Sequence, residues 1–345
     1  MMKFSKLFLI ALSVSLFVSC SNDDSDDTPK GVYDKGFFIL NEGTTQGTVS
    51  FSSNDLTSFT KDVYSIVNGN DILGKYAQNI FFSGDNAYII SGGANNITVV
   101  NRYTFKLITK IETGLKNPRY GVVKDGKAYV TNANTYSYEN AATGDTDDYV
   151  AVINLATNTF ESKIDLNSTA NRVVLKDGKL YITDSYNDKL LVVDIATKKL
   201  DAPVQIGLNA DCIEEDNGVL YILKGGFGNA SELVKVKIAD KTTSKIAFPE
   251  SLSGAGFMDI EDSKIYYTVG SSVYTINTNA TAASTTAVIT TPATYVYGFA
   301  VNDGHIYVAQ GNFSTDGKAY IYNLAGTLQK ELTTGIGTNG FYFND

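Results

Sequence analysis

Seven positions in this chain combine ligand-binding residue types with a regular spacing: Gln78, Arg119, Asn171, Asp211, Gly256, Tyr297 and Asn339. Six of the seven are polar or carry a polar tip. Amide, guanidinium, carboxylate and phenol groups together supply donors and acceptors, and a converging set of that kind fixes the orientation of a polar small molecule. The competing explanation is that each position opens a strand, where polar residues are solvated in any case. Arginine is scarce enough to inform the choice. The sequence holds only Arg102, Arg119 and Arg172, and two of these fall at such entries.

Groups for covalent or acid–base chemistry are thinner. The one His, His305, sits in a turn, so no Ser-His-Asp set can be assembled around the polar series. No Cys or His spacing suits zinc or haem. The run Gly144–Asp148 is acidic enough to meet Ca²⁺ but lacks the regular spacing of a calcium loop. Glu214, Glu215 and Asp216 form a second acidic run beside a turn and read as a solvated edge. The glycine-rich stretch 225–229 is not followed by a helix, which argues against a phosphate cradle. The expectation is a binding protein and not an enzyme, with no catalytic residue, no metal and no cofactor.

The spacing of the polar series comes from a repeat. An aromatic residue recurs at Phe38, Tyr88, Tyr129, Tyr181, Tyr221, Tyr266 and Tyr307, at intervals of 50, 41, 52, 40, 45 and 41 residues. Each Tyr follows a tight turn such as Asp125-Gly126, the mark of a β-hairpin. In the third unit four strand-like runs fall at 120–123, 128–131, 149–154 and 160–164; they are named A to D from the inside outward. Continuous runs rich in β-branched residues at 97–100 and 190–193 suit strands covered on both faces. A period in the forties with four short strands predicts an all-β, seven-bladed β-propeller over 36–345. The first unit has no strand before its hairpin, and the run 339–345 has none after it. The C-terminal strand is therefore expected to join the first blade and close the ring.

In this order the polar series stands where the central channel opens, with apolar residues after each position predicting a plugged lower channel. The D–A and B–C loops share one face, and all length variation is expected there. The longest are 132–148 and 67–78. Tyr76, Tyr136, Tyr138, Tyr186, Phe227 and Phe313 lie on such variable loops, and rigid loop aromatics suit ligand capture. The candidate binding set is Gln78, Arg119, Asn171, Asp211, Tyr297 and Asn339, with Tyr136 and Tyr138 from the longest loop.

Residues 1–19 join two Lys to an apolar run and read as a lipoprotein signal peptide, with Cys20 the acylated residue. The alternative is ordinary secretion with a chance Cys. Residues 20–35 then form an acidic tether. Its Ser-plus-acidic run resembles the export tag of surface-displayed lipoproteins in one group of Gram-negative bacteria. The remaining Cys212 lies in an inner strand and reads as a buried apolar residue, so no disulfide framework exists. A formal charge of −9 argues against nucleic acid as a partner. The absence of Trp argues against Trp-Asp-repeat and quinone-cofactor propellers.

The blade text AYVTN (128–132) resembles the YVTN repeat of surface and periplasmic propellers, the YncE-like group, over about 36–345. GFFILNEG (36–43), LGKYAQNIFF (73–82), ITVVNRYTF (97–105) and NPRYG (117–121) are similar to surface lipoprotein propellers encoded beside TonB-dependent transporters, whose BtuG branch captures cobalamin. The resemblance implies a small-molecule ligand, cobalamin or another corrinoid first, and delivery to an outer-membrane transporter by a protein lipid-anchored at the outer membrane and facing outward. A second reading is a protein-interaction scaffold with no ligand of its own. A third is a propeller lyase, against which the near-absence of His argues.

Overall fold

A computed structural model describes residues 29–134, 146–226 and 228–344. Among these, the strands form seven antiparallel sheets that follow one another along the chain. The seven inner strands are Thr338–Asn344 for blade 1, then Ala77–Ser83, Pro118–Lys124, Arg172–Lys176, Ala210–Asp216, Ala255–Glu261 and Val296–Asn302 for blades 2 to 7. Each packs against its neighbours in turn, and Thr338–Asn344 meets both Val296–Asn302 and Ala77–Ser83, so the ring is closed. The fold is the expected seven-bladed propeller.

Closure follows the predicted route. Thr338–Asn344 pairs antiparallel with Gly36–Asn41, with Phe38 opposite Tyr342 and Ile39 opposite Phe341. Blade 1 continues through Thr48–Ser53 and Phe59–Thr60. A buried amide fastens the joint. Asn41 Oδ1 accepts from Gly335 N at 2.9 Å and Thr338 Oγ1 at 3.0 Å, and its Nδ2 donates to Thr48 Oγ1 at 3.2 Å.

The repeated aromatic has a defined job. Apolar clusters fill the spaces between adjacent blades. Phe38 and the six ruler tyrosines are all buried, and each sits in the cluster shared with the following blade; Tyr307 closes the cycle against Phe37 and Phe341 of blade 1. The A–B turns before Tyr129, Tyr181, Tyr221, Tyr266 and Tyr307 each hold two consecutive left-handed residues. Asp125 and Gly126 have φ of 51° and 73°, and Asp177 and Gly178 repeat the pair at 49° and 74°. That is the hairpin geometry whose twist matches the strands.

The loops depart from expectation in one place. The C–D link of blade 6 runs over 278–288, whereas that of blade 4 occupies only 195–198. Length variation is thus not confined to the D–A and B–C face. Lys235 Nζ holds the long link by donating to Thr278 O and Ala280 O, and Tyr267 Oη donates to Ser284 O. The stretch is rich in Ala and Thr, and no apolar alternation marks its limits. The single α-helix among the described residues, Val63–Asn68, lies in the long link between blades 1 and 2. No helix among them is long and apolar enough to cross a membrane.

Candidate ligand-binding mouth and channel

The polar series lies at local faults in the sheets. The pairing of inner strand to strand B shifts by one residue between Ala77 and Asn79, Pro118 and Gly121, Ala210 and Ile213, Ala255 and Met258, and Val296 and Gly298. Gln78, Arg119, Asp211, Gly256 and Tyr297 fall within these bulges, which bend a strand and re-aim its side chains. Buried threonines of strand B brace them. Thr131 Oγ1 accepts from Tyr120 N at 3.2 Å and lies 2.6 Å from Asn171 O in the next blade; Thr183 Oγ1 donates to Asp211 O at 2.7 Å.

The bulged residues mostly bond sideways along the rim. Arg119 Nε donates to Asn171 Oδ1 at 3.1 Å, and Asn171 Nδ2 donates to Asp211 Oδ1 at 2.8 Å, a chain across three blades. Gln78 Nε2 donates to Tyr120 Oη at 2.9 Å, and Asn339 Nδ2 to Ala77 O at 2.8 Å. Tyr297 Oη donates to Glu42 Oε2 at 2.5 Å. The Glu42 carboxyl is pushed up by burial, against the pull of Tyr297 and of the nearby Arg119. Burial likewise raises Asp184, which Arg119 partly offsets. Arg119, Asn171 and Asp211 are thus brought together, and Tyr297 is tied to them through Glu42. Gly256 leaves blade 6 without a side chain there.

An aromatic platform stands beside Glu42. The Tyr295 and Tyr297 rings stack at 5.6 Å, and Phe313 meets Tyr297 edge-on at 5.0 Å. Tyr295 and Phe313 are about half exposed, as is Tyr76 at the other side of the Glu42 backbone. Sequence reasoning missed Glu42 and Tyr295. Glu42 follows a strand that looks like any other, and its approach to Tyr297 exists only after the ring closes. Cys20, Tyr136, Tyr138, Phe227 and most of the 132–148 loop lie outside the described residues.

Below the rim the channel is not the apolar plug expected. A cavity of about 290 Å³ is lined by Gln78, Tyr120, Arg172, Glu214, Asp259 and Tyr342 among others. Glu214 is therefore not part of a solvated edge; only its neighbours face outward, Glu215 accepting from Lys176 Nζ at 3.0 Å. The two-residue alternation of a strand splits an acidic run between faces. Arg172 Nε pairs with Asp211 Oδ2 at 3.4 Å, and its guanidinium lies 4.7 Å from the Tyr120 ring centre. Burial opposes the Arg172 charge, but Tyr120, Cys212, Asp211 and Glu214 outweigh it. Cys212 is buried as expected, its thiol pushed up to about 12 by burial. That makes it a poor nucleophile. Among the described residues no cluster of His, Cys, Asp and Glu is arranged to hold a metal ion.

The profile of the DUF5074 family, a domain of unknown function, matches residues 35–343, the whole ring. The chain belongs to the DUF5074 family. Comparison with curated proteins gives no match. Among solved structures, this DUF5074 propeller is similar to a functionally unknown protein from Desulfotomaculum acetoxidans, with 14% identity, TM-score 0.68 and coverage of 89% of this chain and 98% of that one. It is also similar to the periplasmic gluconolactonase of Pseudomonas aeruginosa, with 12% identity, TM-score 0.66 and coverage of 90% and 99%. Virginiamycin B lyase from Staphylococcus aureus matches at 14% identity and TM-score 0.59, over 78% and 92%. At these identities the likeness is one of fold.

Proposed function

We propose that this DUF5074 protein captures a small polar ligand at the channel mouth, and that a corrinoid such as cobalamin is the first ligand to try. The observation that carries the reading is the pairing of a bonded polar rim, Arg119–Asn171–Asp211 with Glu42–Tyr297, and a half-exposed aromatic platform at the same mouth. A corrinoid edge bears primary carboxamides, which donate to carboxylates such as Asp211 and Glu42 and accept from Arg119. Its flat ring offers apolar area to Tyr295 and Phe313. The resemblance to BtuG-type lipoproteins supports the same ligand, anchorage through Cys20 at the outer membrane, and hand-over to a TonB-dependent transporter.

The test is calorimetry with cobalamin on the soluble domain. The double variant Arg119→Ala, Tyr297→Ala removes one charge-assisted contact to the ligand, at about 1.5–3 kcal/mol, and the phenol that orients Glu42. Affinity should fall at least about tenfold while the unfolding temperature stays close to that of the parent. Equal affinity in parent and variant would take the rim out of the site. Absence of any corrinoid binding would instead favour the scaffold reading.

A further inference from the structure

We propose that the channel below the mouth is a second site, one that takes a small organic cation with a primary ammonium group between the Glu214 and Asp259 carboxylates and the aromatic walls of Phe257, Phe299 and Tyr342. It stands independently of the corrinoid reading. All five residues line the cavity, whose volume of about 290 Å³ equals that of roughly ten waters.

Charge bookkeeping points to a cation. Arg172 lies over the Tyr120 face with its Nε 3.4 Å from Asp211 Oδ2 but without a hydrogen bond, and its charge is shared between Asp211 and Glu214. Asp259 is partly satisfied by the backbone, its Oδ1 accepting from Ile260 N and its Oδ2 from Val301 N, both at 2.7 Å. Glu214 receives no hydrogen bond from any described residue, although it lines the channel and is largely shielded from solvent. A carboxylate in the channel with no hydrogen-bond donor and only a shared counter-ion, Arg172, is costly to ionise, and a proton on it lowers that cost. Burial, with Asp259 close by, pushes the Glu214 carboxyl up to about 8 against the pull of Arg172. Burial pushes Asp259 up to about 6. The groups around Glu214 in the cavity are Arg172 from blade 4, Cys212 from its own strand, Asp259 from blade 6, and Tyr120 and Tyr342 from blades 3 and 1. None of them is a free cation. At the rim, Asn339 offers a further acceptor, since its Oδ1 is buried without a partner. Carboxylates backed by aromatic faces are a favourable setting for an alkylammonium ion.

Seating an ammonium ion replaces the Glu214 proton, so binding near neutral pH releases about one proton. The probe is n-butylammonium chloride, with 1-butanol as its uncharged counterpart, titrated into the intact domain in two buffers of different ionisation enthalpy. The expected result is millimolar binding of butylammonium, a buffer-dependent heat showing proton release, tighter binding as pH rises through about 8, and no comparable binding of butanol. Glu214→Gln should weaken binding at least about tenfold. Equal binding of butanol, absence of proton release, or undiminished binding to Glu214→Gln would each overturn the proposal. If the variant does not fold, the proton release of the parent protein decides.

Discussion

Glu214 and Glu215 are adjacent and chemically alike, yet the strand sends one into the channel and the other to Lys176 on the opposite face. That difference has a consequence for stability. Because burial and the nearby Asp259 push the Glu214 carboxyl up to about 8 from its ordinary 4.5, the native state holds a proton that the unfolded chain releases in that interval. Stability contributed by this group is present below the unfolded value and is lost as pH rises through the folded one. Asp259, raised to about 6, acts in the same sense. Urea denaturation should show Glu214→Gln gaining on the parent as pH rises from about 5 to about 9. A constant difference between the two proteins over that range would mean that Glu214 does not carry the proton.

At the scale of elements, one side chain clasps the end of the paired first and last strands. Asn41 is fully buried and accepts from both Gly335 N and Thr338 Oγ1. Asn41→Ala removes both acceptor contacts and strands a backbone donor, which should cost about 2–3 kcal/mol in urea unfolding. A loss below about 0.5 kcal/mol would show that the strand pairing holds without the clasp. The bulges are the other device of this scale. Each adds one residue at the mouth end of an inner strand, and buried threonines such as Thr131 and Thr183 bond the irregular backbone from beside and from the preceding blade. Gln78, Arg119, Asp211 and Tyr297 owe their sideways bonding to that irregularity, whereas Asn171 precedes an unshifted strand. A regular strand would alternate them between channel and blade core.

For the whole molecule, seven small interblade cores share the burial that one large core cannot provide in a chain of this size. Among the described residues, the axial channel of the ring gathers residues from all seven blades. Presentation outside the cell would expose that mouth to scarce ligands, and the proposed anchor makes a direct prediction. Fatty-acid labelling of the expressed full-length protein should be lost in Cys20→Ala, with the domain released from membranes. Persistent labelling or membrane retention of the variant would remove the lipid anchor from the proposal.

The number of blades, the closing strand and the rim positions were legible in the sequence because they are set by short-range features that recur in most units: a tight turn with left-handed residues, an aromatic at a fixed step beyond it, and a polar residue ten positions before. These repeat, and repetition makes them readable. The meeting of Glu42 with Tyr297 and the exposure of the Tyr295–Phe313 platform were settled only in three dimensions. So was the inward turn of Glu214 and Asp259, residues of two different blades. Contacts of this kind join residues from different blades or loops, and their geometry depends on ring closure and on the bulge that sets which side chains face the axis.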